Sequence, residues 1–110
     1  MSRPRAIGYL RRDISGGSQM WHETQIRSLA RRLGYELAKT VVFGPEVDDP
    51  VTRLLTVVRS TEAEAVVVPG PEHFGGRVPD RVVRVCDVIT VSPHCTYARS
   101  YTSPFLGDGA

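Results

Sequence analysis

The chain of 110 residues carries a formal net charge of +2, and 41% of its residues are hydrophobic while 24% are charged. This length and composition predict one globular domain. Two cysteines, Cys86 and Cys95, are too few for a disulfide scaffold, and no apolar run approaches the ~20 residues that a membrane-spanning helix needs. We therefore expect a cytoplasmic protein with no membrane partner.

The basic residues are all arginines except Lys39. The planar guanidinium of arginine suits phosphate because it can donate two parallel hydrogen bonds. A GC-rich genome would also favour arginine codons, and the basic residues do not form one block. The net charge therefore permits contacts with nucleic acid but does not require them.

The first third of the chain predicts a strand, a loop and a helix. Residues 4–11 form a nearly continuous apolar run, as in a strand covered on both faces. Gly16 and Gly17 predict a loop, and Ser18 is a suitable N-cap for a helix from about 18 to 33. That helix has an apolar stripe at helical spacing, formed by Ile26, Leu29, Ala30 and Leu33.

The rest of the chain repeats this alternation of strands and helices. Asp49 and Pro50 predict the start of a second helix, and Gly34 predicts the end of the first. Further strands are expected at 35–43, 64–68 and 87–92, with a short third helix at 79–86. The pattern predicts a three-layer α/β domain over residues 1–92, with helices flanking a mostly parallel four-stranded sheet of order 2-1-3-4. Residues 93–110 are expected to form an irregular tail.

Polar residues follow strands one and three, whose carboxyl ends meet at the switch point of such a sheet. Asp13 and Ser15 follow the first strand, and Glu72 and His73 follow the third. We predict a pocket formed by these four residues, which could hold a metal or a small anionic ligand. Their spacing, even with Ser92, His94 and Cys95 added, is that of no named metal site, so solvated loop residues are the simpler interpretation. No metal and no cofactor is predicted.

Several segments in order resemble the catalytic domain of the serine site-specific recombinases, the resolvase and invertase family. The resemblance spans about 5–92 and is found in Gly8-Tyr9-Leu10-Arg11, Gln25, 33–37, 50–55 and 63–68. It implies a fold like that of the resolvase catalytic domain.

The resemblance also implies that the family's chemistry has been lost. The family carries Tyr-x-Arg-x-Ser at the end of its first strand, where the serine attacks a DNA phosphodiester. Here Tyr9 and Arg11 match, Asp13 occupies the nucleophile position, and Ser15 is only a displaced substitute. Elsewhere Glu72 can keep the family's acidic role, whereas the positions of three family arginines hold Asp49, His73 and Gly76.

Three functional hypotheses follow. The first is a stand-alone, non-catalytic module that contacts the DNA backbone or associates with itself, as a homodimer, or with a full-length recombinase. Its expected phosphate-binding residues are Tyr9, Arg11, Arg12, Arg27 and Arg31, and the four arginines are expected near one edge of the domain. Arg27 and Arg31, four apart on the first helix, also fit a solvated face.

The second hypothesis is a ligand-binding protein or enzyme that uses Asp13, Glu72 and His73 as acid, base or ligands. The third is residual DNA strand cleavage and recombination that depends on Ser15.

Overall fold

Strands and helices alternate along the chain in the computed structural model, which describes residues 2–100. The strands are β1 (Arg5–Arg11), β2 (Glu36–Phe43), β3 (Ala65–Val68), β4 (Asp87–Thr90) and β5 (Cys95–Tyr97). The α-helices are α1 (Arg12–Ser15), α2 (Gln19–Arg32), α3 (Pro50–Thr61) and α4 (Asp80–Val83). Two 3-10 turns, at Gly16–Ser18 and Pro71–Phe74, complete the elements of the described chain. None of its helices is both long and apolar enough to cross a membrane.

The sheet has five strands in the order β2-β1-β3-β4-β5. The first four strands pair in parallel, and β5 pairs with β4 in antiparallel fashion. The prediction of four strands in the order 2-1-3-4 was therefore wrong in its count, and the fifth strand extends the order at one edge. The irregular tail predicted from residue 93 instead contains β5 at Cys95–Tyr97, while 101–110 lie outside the described residues.

Helices cover both faces of the sheet, so the three-layer α/β prediction is confirmed. Side chains of β1 alternate between the two faces, as the pleat of a strand requires. Ala6 and Leu10 pack with Ile26 of α2 on one face. Ile7 and Tyr9 pack on the other face, against a core contributed by α3 and α4 that includes Leu54, Val58 and Val82.

The ends of the helices follow local chemistry. Gly34 follows α2 with φ of 89°, a left-handed conformation that glycine adopts at little cost. Asp49 caps α3, where its Oδ1 accepts a hydrogen bond from the Thr52 N–H at 3.3 Å and its Oδ2 accepts one from the Thr52 hydroxyl at 2.6 Å. Ser18 precedes α2 as predicted, but its side chain makes no capping hydrogen bond.

The segment after β1 differs from the predicted loop. The strand passes directly into the four-residue helix α1, and the glycine pair lies in the 3-10 turn that joins α1 to α2. Gly16 has φ of 54° and ψ of −131°, which a residue with a Cβ rarely adopts. This near-continuous helical path brings Ser15 back toward the start of α2.

Candidate functional site at the carboxyl edge of the sheet

The carboxyl ends of β1 and β3 lie side by side and are joined by His73. The backbone N–H of Arg11, the last residue of β1, donates a hydrogen bond to His73 Nδ1 at 2.9 Å. His73 sits in the 3-10 turn after β3 and is fully buried. The predicted proximity of the residues after these two strands is therefore observed, with an imidazole as the link.

His73 is held as a neutral imidazole with one defined tautomer. Burial lowers its pKa, and the nearby charge of Arg11 acts in the same direction, whereas Glu72 and Asp13 oppose it. Because Nδ1 accepts a hydrogen bond, the proton of the neutral ring must lie on Nε2. That Nε2–H is buried and has no hydrogen-bond acceptor among the described residues. An unsatisfied buried donor of this kind costs about 1–3 kcal/mol.

Arg11 and Asp13 form a two-pronged ion pair in front of His73. Arg11 Nε lies 3.1 Å from Asp13 Oδ1, and Arg11 Nη2 lies 3.0 Å from Asp13 Oδ2. Both side chains are partly exposed, 24% for Arg11 and 31% for Asp13. The guanidinium fork is thus occupied by a carboxylate and is not presented to an external phosphate.

Ser15 and His22 form a second pair beside His73. Ser15 Oγ lies 2.7 Å from His22 Nδ1, and only 6% of Ser15 is exposed. The rings of His22 and His73 meet edge to face with their centroids 5.7 Å apart. Ser15 was predicted in the pocket, but His22 was missed. Its seven-residue separation from Ser15 carries no recognisable signal, because the pair forms across the α1–α2 junction.

Glu72 lies at the rim of this group. Its side chain is exposed, and its carboxylate packs against Gly70 so closely that a Cβ at Gly70 would collide with it. Asp13, Ser15, Glu72 and His73 therefore lie near one another at this edge, whereas a pocket between them stays a prediction. With Arg11 and His22 they form what we call the carboxyl-edge cluster.

Tyr9 was predicted to bind phosphate, and the structure buries its side chain in the core beside Arg11. Its ring is fully buried, stacked on Phe74 at 4.8 Å between centroids and edge-on to Phe43 at 6.0 Å. Its hydroxyl is also buried, and burial raises the pKa of Tyr9 even though Arg11 opposes the shift. The alternation of side chains along β1 directs Tyr9 into the core below α3 and α4, where no DNA phosphate can reach it.

Arg12 is exposed at the same edge and leans over the end of β2. Its Nη2 lies 3.4 Å from Glu46 Oε1, and the pair crosses Gly44, where a Cβ would collide with both side chains. Exposed ion pairs of this kind contribute about 0–1 kcal/mol.

Arg27 and Arg31 were expected near Arg11 and Arg12, and this expectation was wrong. They line a cleft of about 270 Å³ with Arg3, Tyr35, Glu36 and Leu37. Helix α2 runs back across the sheet from the carboxyl edge, so its last turns reach the amino ends of β1 and β2. Seven residues of β1 span roughly 20 Å and separate the two ends. We call the surface formed by Arg3, Arg27 and Arg31 the basic cleft.

Cysteines and other potential metal ligands add no second site within residues 2–100. There, no group of three or more His, Cys, Asp or Glu side chains is placed to hold a metal ion. Burial raises the pKa of Cys86 to about 12, which makes it an inert core thiol, while Cys95 is exposed on β5. Ser92 and His94 lie in the turn between β4 and β5, which contains a cis Ser92–Pro93 peptide bond.

Comparison with protein-family models, with curated proteins and with solved structures gave no match to this chain. The candidate site is therefore interpreted from its geometry and from the sequence resemblance alone.

Proposed function

We propose that this chain is a domain of the serine recombinase type that does not cleave DNA and that associates with the DNA backbone through the basic cleft. The proposal combines two parts of the molecule. The carboxyl edge accounts for the absence of cleavage, and the amino end provides the contact with phosphate.

The Arg11–Asp13 ion pair supports the absence of cleavage. Asp13 occupies the position of the family's serine nucleophile, and its carboxylate is held by the arginine that should face the phosphate. A carboxylate at this position repels the phosphodiester it would have to attack. Removing one donor to a developing charge typically costs about 3 kcal/mol of transition-state stabilisation. The loss of several such arginines would therefore greatly slow DNA cleavage.

The other substituted positions have acquired structural roles. Asp49, at the place of one family arginine, caps α3 and receives an ion pair from Arg81 at 2.7 Å. His73, at the place of another, is buried and hydrogen-bonded to the backbone of β1. Asp49 is a carboxylate and cannot donate to a phosphate, and the Nε2–H of His73 is buried within the fold.

The observation that carries DNA association is the clustering of three arginines in the basic cleft. Within residues 2–100, Arg11 and Arg12 each have a carboxylate within ion-pair distance, whereas Arg3, Arg27 and Arg31 have none. Arg27 and Arg31 lie one turn of α2 apart, about 6 Å along the helix axis. Glu36 is the one acidic residue among the lining side chains, so the cleft keeps an excess of positive charge.

Mapping the DNA contact by NMR tests this proposal. A short duplex titrated into ¹⁵N-labelled protein should shift the amide signals around Arg3, Arg27 and Arg31 in fast exchange and leave those of Asp13 and Ser15 unchanged. The fast exchange follows from the weak, salt-sensitive binding that a few phosphate contacts provide. Shifts confined to the carboxyl edge, or no shifts at all, would overturn the proposed interface. Association with a second copy or with a full-length recombinase stays a prediction of the resemblance.

A further inference from the structure

The Ser15–His22 pair offers a chemistry that DNA association does not use. The Ser15 hydroxyl lies 2.7 Å from His22 Nδ1, which is hydrogen-bond distance from an imidazole nitrogen that can accept its proton. A serine is a weak nucleophile on its own and is activated by an adjacent base within this range. The pair therefore has the geometry of a nucleophile and its general base.

Access to Ser15 suits a small molecule better than a duplex. Ser15 itself is buried, but the two glycines that follow it border open space, since a Cβ built on either Gly16 or Gly17 would meet no atom within 4 Å. The backbone beside the hydroxyl is thus uncovered. Because Ser15 is buried, rigid duplex DNA would have to enter the fold to reach Oγ, and a substrate has to be small enough to approach beside the uncovered glycines.

The charges around the pair favour a neutral substrate. Asp13 already neutralises Arg11, and Glu72 adds a further carboxylate at the rim. The negative charge of these carboxylates disfavours an anionic phosphodiester but does not disfavour an uncharged carboxylic ester. The His73 ring packed against His22 has its Nε2–H buried, and among the described residues that donor has no acceptor.

We propose that Ser15 is a reactive serine that takes the acyl group of small, uncharged carboxylic esters, with His22 as its general base. Ser15 Oγ forms a bond to the carbonyl carbon as its proton passes to His22 Nδ1. The bond from that carbon to the alcohol oxygen then breaks, and the proton on His22 goes to the departing oxygen. Water hydrolyses the acyl-serine by the same path, releasing the acid and restoring both side chains.

Acylation by p-nitrophenyl acetate tests this inference. Wild-type protein should release a burst of p-nitrophenol and carry an acetyl group on Ser15, located by mass spectrometry of its peptides. Ser15→Ala should abolish the acetylated peptide. His22→Gln, which keeps a polar side chain but has no basic nitrogen, should slow acylation at least ~10²-fold, as expected for loss of a general base.

Ser18→Ala is the matched control, because Ser18 is an exposed serine in the same segment that makes no capping hydrogen bond. It should be acylated at the wild-type rate. Circular dichroism and thermal melting identify any variant that fails to fold. If a variant does not fold, the burst and the acetyl-Ser15 peptide of the wild-type protein decide the outcome. Absence of acetyl-Ser15 in wild-type protein, or equal acylation of His22→Gln, would overturn the inference. DNA association is measured at the other end of the sheet, so either proposal can fail alone.

Discussion

At the scale of single residues, His73 connects the two strands that build the carboxyl edge. It receives the Arg11 N–H at 2.9 Å through Nδ1 and carries its proton on the opposite nitrogen. The same ring packs edge to face against His22. One buried imidazole thereby sets the end of β1, the turn after β3 and the start of α2 in one arrangement.

Stability should depend on pH through His73. Its pKa in the folded protein lies below the ordinary value of 6.5 because burial disfavours the charged ring. The unfolded chain therefore binds more protons than the folded chain in the window just below pH 6.5. The stability contributed by the neutral His73 is consequently present above that pH and is lost as the pH falls. Urea unfolding at pH 7.5 and 5.5 should show the loss in the wild type.

The variant His73→Gln should remove this part of the pH dependence, because glutamine does not titrate while its amide oxygen can still accept from Arg11. His73→Phe, which leaves the Arg11 N–H without an acceptor, should lower the free energy of unfolding by about 1–3 kcal/mol at pH 7.5. An identical pH dependence in wild type and His73→Gln would contradict the assignment of a neutral, buried imidazole.

The sequence predicted part of the candidate site, for an identifiable reason. Asp13, Ser15, Glu72 and His73 came together because the ends of adjacent parallel strands share one edge. His22 was missed, since its contact with Ser15 depends on the path of the chain through Gly16 and Gly17. The pairing of Arg11 with Asp13 was also missed, because it depends on side-chain geometry that a one-dimensional pattern does not contain.

At the scale of elements, α2 lies so close to β1 that no side chain fits between them at Gly8. A Cβ on Gly8 would lie 2.5 Å from Thr40 Oγ1 on β2 and 2.8 Å from Ile26 Cγ2 on α2. The absence of a side chain at the centre of β1 therefore sets the distance between the helix and the sheet. It also fixes where each end of α2 lies, and so the position of His22 at one end and of Arg31 near the other.

Gly8→Ala should destabilise the fold by about 1–3 kcal/mol, because the added methyl group forces α2 or β2 to shift in a packed interior. Gly17→Ala is the matched control, as its Cβ would meet open space, and it should change the free energy of unfolding by less than about 0.5 kcal/mol. Chemical denaturation of both variants measures the difference. Equal stability of the two would show that α2 does not pack on β1 as described.

Most elements could be predicted from residue patterns, and the exceptions are short. In the apolar stripe of α2, the Asp49 cap of α3 and the buried run of β3, several neighbouring residues predict the same element. By contrast, α1 has four residues and β5 has three, all exposed in β5, so neither is long enough to show a period. The fifth strand follows from pairing with β4, a tertiary effect that local sequence does not encode.

At the scale of the whole molecule, the two ends of the sheet differ in charge and in chemistry. The carboxyl edge holds imidazoles, a serine and a guanidinium neutralised by Asp13. The amino end holds the guanidiniums of the basic cleft, and beside it Arg3 lines a neighbouring pocket with Glu62 and Glu64. The formal charge of +2 for the whole chain conceals this division. Because the two ends are separate, the proposed DNA association and the proposed acylation of Ser15 would not compete for one surface.

The most direct measurement of the central claim is fluorescence anisotropy of a labelled generic duplex at 50 and 200 mM salt, with two matched double variants. Each phosphate contact contributes a slope of about −0.9 to the logarithmic dependence of affinity on salt, so three arginines predict a slope of roughly −3. Arg27→Ala with Arg31→Ala should lower affinity and reduce the magnitude of that slope by about two. Arg11→Ala with Arg12→Ala removes the same formal charge and should leave the affinity and the salt dependence nearly unchanged. A larger loss of affinity in the Arg11/Arg12 variant than in the Arg27/Arg31 variant would contradict DNA association through the basic cleft. Absence of binding by the wild type at 50 mM salt would contradict it as well.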